Sequence, residues 1–201
     1  FHIYVFRHGE TTFNRDGRFT GWLNPRLTSL GIRQSKKLAR KLKNKKFEVA
    51  FHTRLSRSKE TLKYVLKFHP ECKKIIVDDR IIERNYGDLN GMLHETFVRR
   101  VGKKLYDLEV FGDAIEKLSE RKKKKVEKFL GEKEYESIHR SYNIPPPNGE
   151  SFTDVERRVR GFINYLRKYI KKNRVNVAIS AHGNFIRLFR KIMEKASRAE
   201  T

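Results

Sequence analysis

The sequence predicts an α/β protein: a three-layer α/β/α arrangement with a mostly parallel central sheet and an inserted helical subdomain. Short apolar runs of strand length occur at Ile3-Tyr4-Val5-Phe6, Val49-Ala50-Phe51, Ile75-Ile76-Val77 and Val175-Asn176-Val177-Ala178-Ile179-Ser180. Amphipathic stretches of helical period lie between most of them, and such alternation argues for parallel pairing covered on both faces. The 201 residues, 37% hydrophobic and 11% aromatic, suffice for one domain with a sizeable core. The expectation is a single domain over 1–201 with a helical insertion at about 95–140.

Taken in order, the first strand ends in a polar, turn-rich loop from Gly9 to Leu27. A helix is expected from about Ser29 to Lys43, with Ile32, Ser35, Leu38, Ala39 and Leu42 as its buried stripe. The strand Val49-Ala50-Phe51 ends at His52-Thr53, and a helix from about Ser56 to Phe68 turns Leu62, Val65 and Leu66 inward. After the third strand the pattern changes. From Glu95 to Glu136 only charged helical periodicity is visible, punctuated by Gly102, Gly112 and Gly131. Pro145-Pro146-Pro147-Asn148-Gly149 forces an extended loop. Ser151, with Asp154 three residues on, caps a helix that buries Val155, Val159, Phe162, Ile163, Leu166 and Ile170. The last strand and a helix from about Asn184 to Ala196 complete the order.

The formal net charge is +23, from 47 Lys+Arg against 24 Asp+Glu, a balance that raises nucleic acid as a partner. Its distribution points elsewhere. Residues 33–63 hold 12 Lys/Arg against 2 Glu, and residues 157–174 hold 8 with no acid, so the charge is spread over several helices rather than gathered on one element. A solvated, lysine-rich surface is favoured, and nucleic acid stays open as a partner without being preferred. Cys72 is the single cysteine, which excludes an intrachain disulfide and suits a cytoplasmic location. No cluster at metal-ligand spacing occurs, and no apolar run approaches the ~20 residues of a membrane helix.

Chemistry concentrates at two strand ends. The first strand delivers Arg7-His8-Gly9, and the last delivers Ala181-His182-Gly183. In open α/β sheets ligands bind outside the carboxyl ends of strands. Each group joins a titratable imidazole to a glycine free to take φ > 0. A lone His at a strand end is more often a satisfied polar residue than a catalyst; two in matching contexts, one beside an arginine, outweigh that reading. The pattern resembles the histidine phosphatase superfamily, also called the phosphoglycerate mutase-like family.

That resemblance implies phosphoryl transfer through His8 as nucleophile, with Arg7, Arg57 and His182 holding the phosphoryl oxygens and no metal. Arg57 opens the second helix, whose N-terminus favours phosphate, although it also reads as one more surface arginine. Ile82-Glu83-Arg84-Asn85-Tyr86-Gly87 matches a Glu-Arg-x-Tyr-Gly segment of phosphoglycerate mutases. By that likeness Glu83 is the acid/base, while Arg84 and Tyr86 contact substrate; taken alone, Glu83 reads as a salt-bridge partner of Arg84. Asn14, Thr20, Gly21, Arg140, Gly183 and Asn184 complete the implied substrate contacts. Arg18-Phe19-Thr20-Gly21-Trp22 and Arg140-Ser141-Tyr142-Asn143-Ile144-Pro145-Pro146-Pro147 resemble mutase loops.

Three departures stand beside these matches. His139-Arg140 replaces a pair of arginines, the lysine that usually follows the Tyr-Gly segment is missing (His94, Arg99 or Arg100 could substitute), and the helical insertion is longer. The resulting expectation is a cofactor-dependent phosphoglycerate mutase of glycolysis and gluconeogenesis, interconverting 3- and 2-phosphoglycerate. It would be primed by 2,3-bisphosphoglycerate, with hydrolysis as a side activity. The alternative is a histidine phosphatase acting on small phosphorylated metabolites. A homo-oligomer stays open.

Overall fold

Parallel pairing between the first and last strands brings the two His-Gly ends together. The computed structural model describes residues 1–109 and 118–194. Its strands are β1 (Ile3–Arg7), β2 (Val49–His52), β3 (Lys74–Val77) and β4 (Val177–Ala181), all parallel, in the order β1-β4-β2-β3. In the β1/β4 ladder Arg7 is registered with Ala181, and the His8 N–H donates to the Ala181 carbonyl at 3.2 Å. His8 and His182 therefore leave neighbouring strands at the same level.

The period-2 alternation of the strands sorts their side chains into two cores. Val49, Phe51, Val177, Ile179 and Ala181 face a helical layer made by α6 (Phe152–Asn173) and α7 (Gly183–Glu194), where Val155, Phe162 and Phe185 are buried. Ala50, Ala178 and Phe6 face the opposite layer, α2 (Ser29–Leu42) and α3 (Ser56–Leu66), against Ala39, Leu62 and Val65. Three layers result, as the sequence predicts. Double coverage holds for β2 and β4, whose residues are all buried. It fails at β3, an edge strand with Ile75 51% and Val77 58% exposed. The Ser151–Asp154 capping box closes the start of α6 through reciprocal hydrogen bonds, as expected. Ile170, expected inside, is only partly buried.

Two details differ from the sequence reading. The loop after β1 contains a four-residue helix, α1 (Thr12–Arg15), too short to show a period; Thr11 and Asn14 cap it reciprocally. The charged middle forms two long helices, α4 (His94–Glu109) and α5 (Glu120–Arg140). Gly102 and Gly131 do not punctuate them. Each lies where one helix meets the other's backbone: a Cβ on Gly102 would collide with the Glu127 carbonyl, and one on Gly131 with that of Val98. Gly112 lies outside the described residues. A third apolar cluster, Phe19, Tyr86, Leu89, Phe97 and Ile138, fastens the α4/α5 pair over the carboxyl end of the sheet.

Candidate active site

His8 is buried at the end of β1. Its Nδ1 lies 2.7 Å from the Gly9 carbonyl. A carbonyl only accepts, so Nδ1 carries the proton and Nε2 keeps its lone pair. Gly9 is not in the left-handed region, which corrects the reason given above for a glycine there. Its Cα packs on the Gly31 carbonyl at the start of α2, where a Cβ would collide. The His182 ring centroid is 5.1 Å from that of His8. His182 Nε2 is 3.0 Å from Thr53 Oγ1, and its Nδ1 is buried with no partner among the described residues.

Arg57 is fully buried. Nη1 donates to the Leu23 carbonyl at 2.7 Å and Nη2 to the Gly21 carbonyl at 2.8 Å, leaving Nε unpartnered among the described residues. One arginine thus shapes the 20–24 loop and charges the pocket floor. Burial, with Arg7 adding repulsion against the pull of Glu83, lowers its pKa to about 10, so it remains a cation at neutral pH. The N-terminus of α3 is not free for phosphate as expected: Asn24 Oδ1 accepts the Ser56 N–H at 2.8 Å.

The helix end that faces the site is α7. Gly183 and Asn184 donate their N–H groups to the Glu83 carboxylate at 3.1 and 3.3 Å, and the Arg84 N–H adds a third donor at 2.8 Å. Glu83 is thus held on the positive end of a helix. Arg84 itself turns away from the pocket. It is fully buried, donating to the Glu150 and Ile138 carbonyls at 2.7 and 2.8 Å with its guanidinium over Phe152 and Tyr86. Arg84 does not line the cavity beside His8, and its Nη2 is buried with no partner among the described residues.

These groups surround a cavity of about 390 Å³ lined by Arg7, His8, Asn14, Thr20, Gly21, Arg57, Glu83, Tyr86, Gly183 and Asn184, as the sequence reading brings them together. His182 stands behind His8, off the cavity surface. The Arg140 side chain lies outside the described residues. Asn14 Oδ1 is engaged by Thr11, which leaves its Nδ2 to the pocket. Also on the wall, and missed, are Arg18, Phe19, His139 and Arg187. Arg187 follows Gly183 by one helical turn, a spacing that could have found it. Of the three residues considered in place of the missing lysine, His94 lines the cavity, hydrogen-bonded to Tyr135 at 3.2 Å. His139 stacks on Phe19.

The imidazoles are neutral at pH 7. Burial first, then Arg57 and Arg7, pull His8 down to about 3 against the Gly9 hydrogen bond. Burial, with His8, Arg57, Arg158 and Arg7 behind it, takes His182 well below its ordinary value. Burial with His94 and two arginines takes His139 to about 4. The unfolded chain protonates its histidines near pH 6.5 while the native state resists, so their stabilising effect is complete above that value and is lost as pH falls. We expect stability to drop from pH 6.5 to 5, where carboxylates barely titrate, by about 1.4 kcal/mol per pH unit for each of His8 and His182. Thermal melts across that range should show a shallower acid limb in His8→Gln than in the parent. Equal slopes would contradict the assignment.

The profile described as the histidine phosphatase superfamily (branch 1) matches residues 3–136 and 109–200. The chain belongs to that superfamily. The 2,3-bisphosphoglycerate-dependent phosphoglycerate mutase of Parvibaculum lavamentivorans is 31% identical to it over 203 residues, 98% of this chain and 82% of the relative. Among solved structures, phosphoglycerate mutase from Bacillus anthracis superposes with TM-score 0.69 at 23% identity, covering 96% of this chain and 80% of that one. The α-ribazole phosphatase of Shigella flexneri gives 0.70 at 21%, covering 98% and 82%. These structural likenesses establish the family's fold in this chain. Among the described residues no helix is long and apolar enough to cross a membrane, and no group of His, Cys, Asp and Glu is arranged to hold a metal ion.

Proposed function

We propose that this member of the superfamily is a phosphoglycerate mutase that interconverts 3- and 2-phosphoglycerate through a phosphohistidine on His8, with some hydrolysis as a side activity. The observation that carries the reading is the lone pair of His8 Nε2, freed by the Gly9 hydrogen bond and set beside Arg7 and Arg57. In the first step Nε2 forms a bond to phosphorus as the ester P–O bond breaks. The electron pair goes to the departing oxygen, which takes a proton from the Glu83 carboxyl. Arg7 and Arg57, which line the cavity beside His8, stabilise the transferring phosphoryl group. The orphaned Arg57 Nε is a donor suited to its oxygens. Once His8 is loaded, isomerisation takes two transfers: the phosphoryl group passes to the free hydroxyl of the bound phosphoglycerate as Glu83 accepts its proton, and His8 then takes up the group on the other hydroxyl as Glu83 returns the proton to the departing oxygen.

The cavity fits 2,3-bisphosphoglycerate as primer. The Arg7 and Arg187 side chains line it with no hydrogen bond or ion pair among the described residues, and Arg18 keeps donors beyond the one given to the Gly91 carbonyl. When bound, the bisphosphate supplies the phosphoryl group that loads His8; Arg7, Arg57 and Asn14 would hold one end and Arg18 and Arg187 the other. The lone thiol of Cys72 suits a reducing compartment, and we place the enzyme in the cytoplasm.

A second reading, a phosphatase of small phosphorylated metabolites, is favoured by the cavity wall. His94 and His139 stand where mutases carry cations, and burial lowers both pKa values. Neutral imidazoles grip a second acidic group more weakly than arginine does. A paired assay separates the two: isomerisation of 3-phosphoglycerate and release of inorganic phosphate, each with and without added bisphosphate. The mutase reading expects isomerisation that rises on priming and outpaces phosphate release. Phosphate release with no isomer exchange would replace it by the phosphatase.

A further inference from the structure

Arg158 lies in the stretch 157–174, whose basic residues without acids read in the sequence as a solvated helix face. Arg157 and Arg160 keep to that pattern, with side chains 76% and 57% exposed. Arg158 does not: its side chain is 16% exposed. Nε donates to Glu150 Oε1 at 2.9 Å, and Nη1 donates to the Arg80 and Ile82 carbonyls at 2.9 and 2.7 Å. Nη2 donates to the Glu83 carbonyl at 3.0 Å and to Glu150 Oε2 at 3.1 Å. Glu150 then reaches the far side of the same segment, accepting the Asn85 N–H at 2.8 Å through Oε2 and Arg84 Nε at 2.7 Å through its carbonyl.

The segment so gripped has no ladder of its own. Ile82 to Asn85 runs between two 3₁₀ turns, Asp79–Ile81 and Gly87–Leu89, so its main-chain groups need partners from elsewhere. Arg158 supplies a planar fork that satisfies the carbonyls of Arg80, Ile82 and Glu83 at once, which the single ammonium of lysine cannot do. Trp22 Nε1 adds a second donor on the Glu83 carbonyl at 2.8 Å. The backbone of Glu83 is therefore fixed from α6 while its carboxylate is fixed from α7.

We propose that Arg158, paired with Glu150, is the positioning residue for Glu83, setting where its carboxyl meets the departing oxygen of the phosphoester. The proposal rests on the reading of Glu83 as proton donor. It has a consequence that loss of general packing would not produce. An alkyl phosphoester needs a proton on its departing oxygen, whereas 4-nitrophenyl phosphate releases a stabilised phenolate and needs little help. A misplaced acid should therefore slow the alkyl ester selectively.

The test is single-turnover phosphorylation of His8 from 3-phosphoglycerate and from 4-nitrophenyl phosphate, compared within each protein. Both esters are measured on one preparation, so loss of folded protein cancels from their ratio. Glu83→Gln should slow the alkyl ester by about 10²- to 10⁴-fold and the aryl ester far less. Arg158→Met should shift the alkyl-to-aryl ratio the same way by about tenfold or more, since misplacement near 1 Å costs about 10²-fold. In the Glu83→Gln background, Arg158→Met should add no further shift. Equal losses on both esters in Arg158→Met, with the shift present in Glu83→Gln, would overturn the proposal and leave Glu83 in its role. No shift in Glu83→Gln would remove the proton donor and the proposal with it. If Arg158→Met does not fold, Glu150→Gln carries the same test: a shifted ratio supports the clamp, and an unshifted one overturns it.

Discussion

His8→Ala should lower phosphoryl transfer and phosphate release together, by about 10⁴-fold or more, because both require the covalent intermediate. The residue is buried, but among the described residues its side chain bonds only to its neighbour's carbonyl, and its N–H donates to the Ala181 carbonyl. Truncation leaves the ladder bond intact, so the fold should survive, which circular dichroism would check. The flanking arginines would still bind a phosphomonoester. We therefore expect substrate affinity, measured calorimetrically, to fall far less than the rate. Retention of either activity near the parent rate would remove His8 as the nucleophile.

The second largest effect is expected at Arg57. Arg57→Met keeps much of the side-chain volume but removes a charge from the pocket floor and two donors from the 20–24 loop. Loss of one fixed donor at a developing charge costs about 10²- to 10³-fold in rate, and here the loop that carries Thr20 and Gly21 is loosened as well. A fall in kcat/KM of about 10³-fold is expected, together with a lower Tm from the stranded Gly21 and Leu23 carbonyls. Arg57→Lys should recover little, since one ammonium cannot hold both carbonyls and face the phosphoryl group. A Lys variant with parent kinetics would mean that charge alone matters there.

Much of the site was legible because its parts sit at strand ends. The runs before His8 and His182 are apolar and of strand length, and parallel pairing of two such strands brings their carboxyl ends level. The capping box at Ser151 was legible for a similar reason: both partners lie within four residues. What escaped depended on contacts between distant segments. Glu83 and the N-terminus of α7 are 100 residues apart, and nothing local marks Gly183 as a donor to a carboxylate. Arg84 and Glu83 are adjacent, and no periodicity in an irregular segment tells which side chain faces the pocket. Arg158 looked like its exposed neighbours because an arginine fork acts well away from its own Cα. Gly9 reads in the sequence as a left-handed turn and Gly102 and Gly131 as punctuation between helices; at all three, close backbone approach excludes a side chain.

The central claim is that His8 attacks through Nε2 while the Gly9 carbonyl holds Nδ1. The most direct measurement is to trap the phosphorylated protein with substrate or bisphosphate and map the phosphate by peptide mass spectrometry, with phosphorus–proton NMR correlation to fix the nitrogen. The expected result is one phosphoryl group, on His8, bonded to Nε2. Phosphate on Nδ1, on another residue, or on no residue at all during turnover would contradict it.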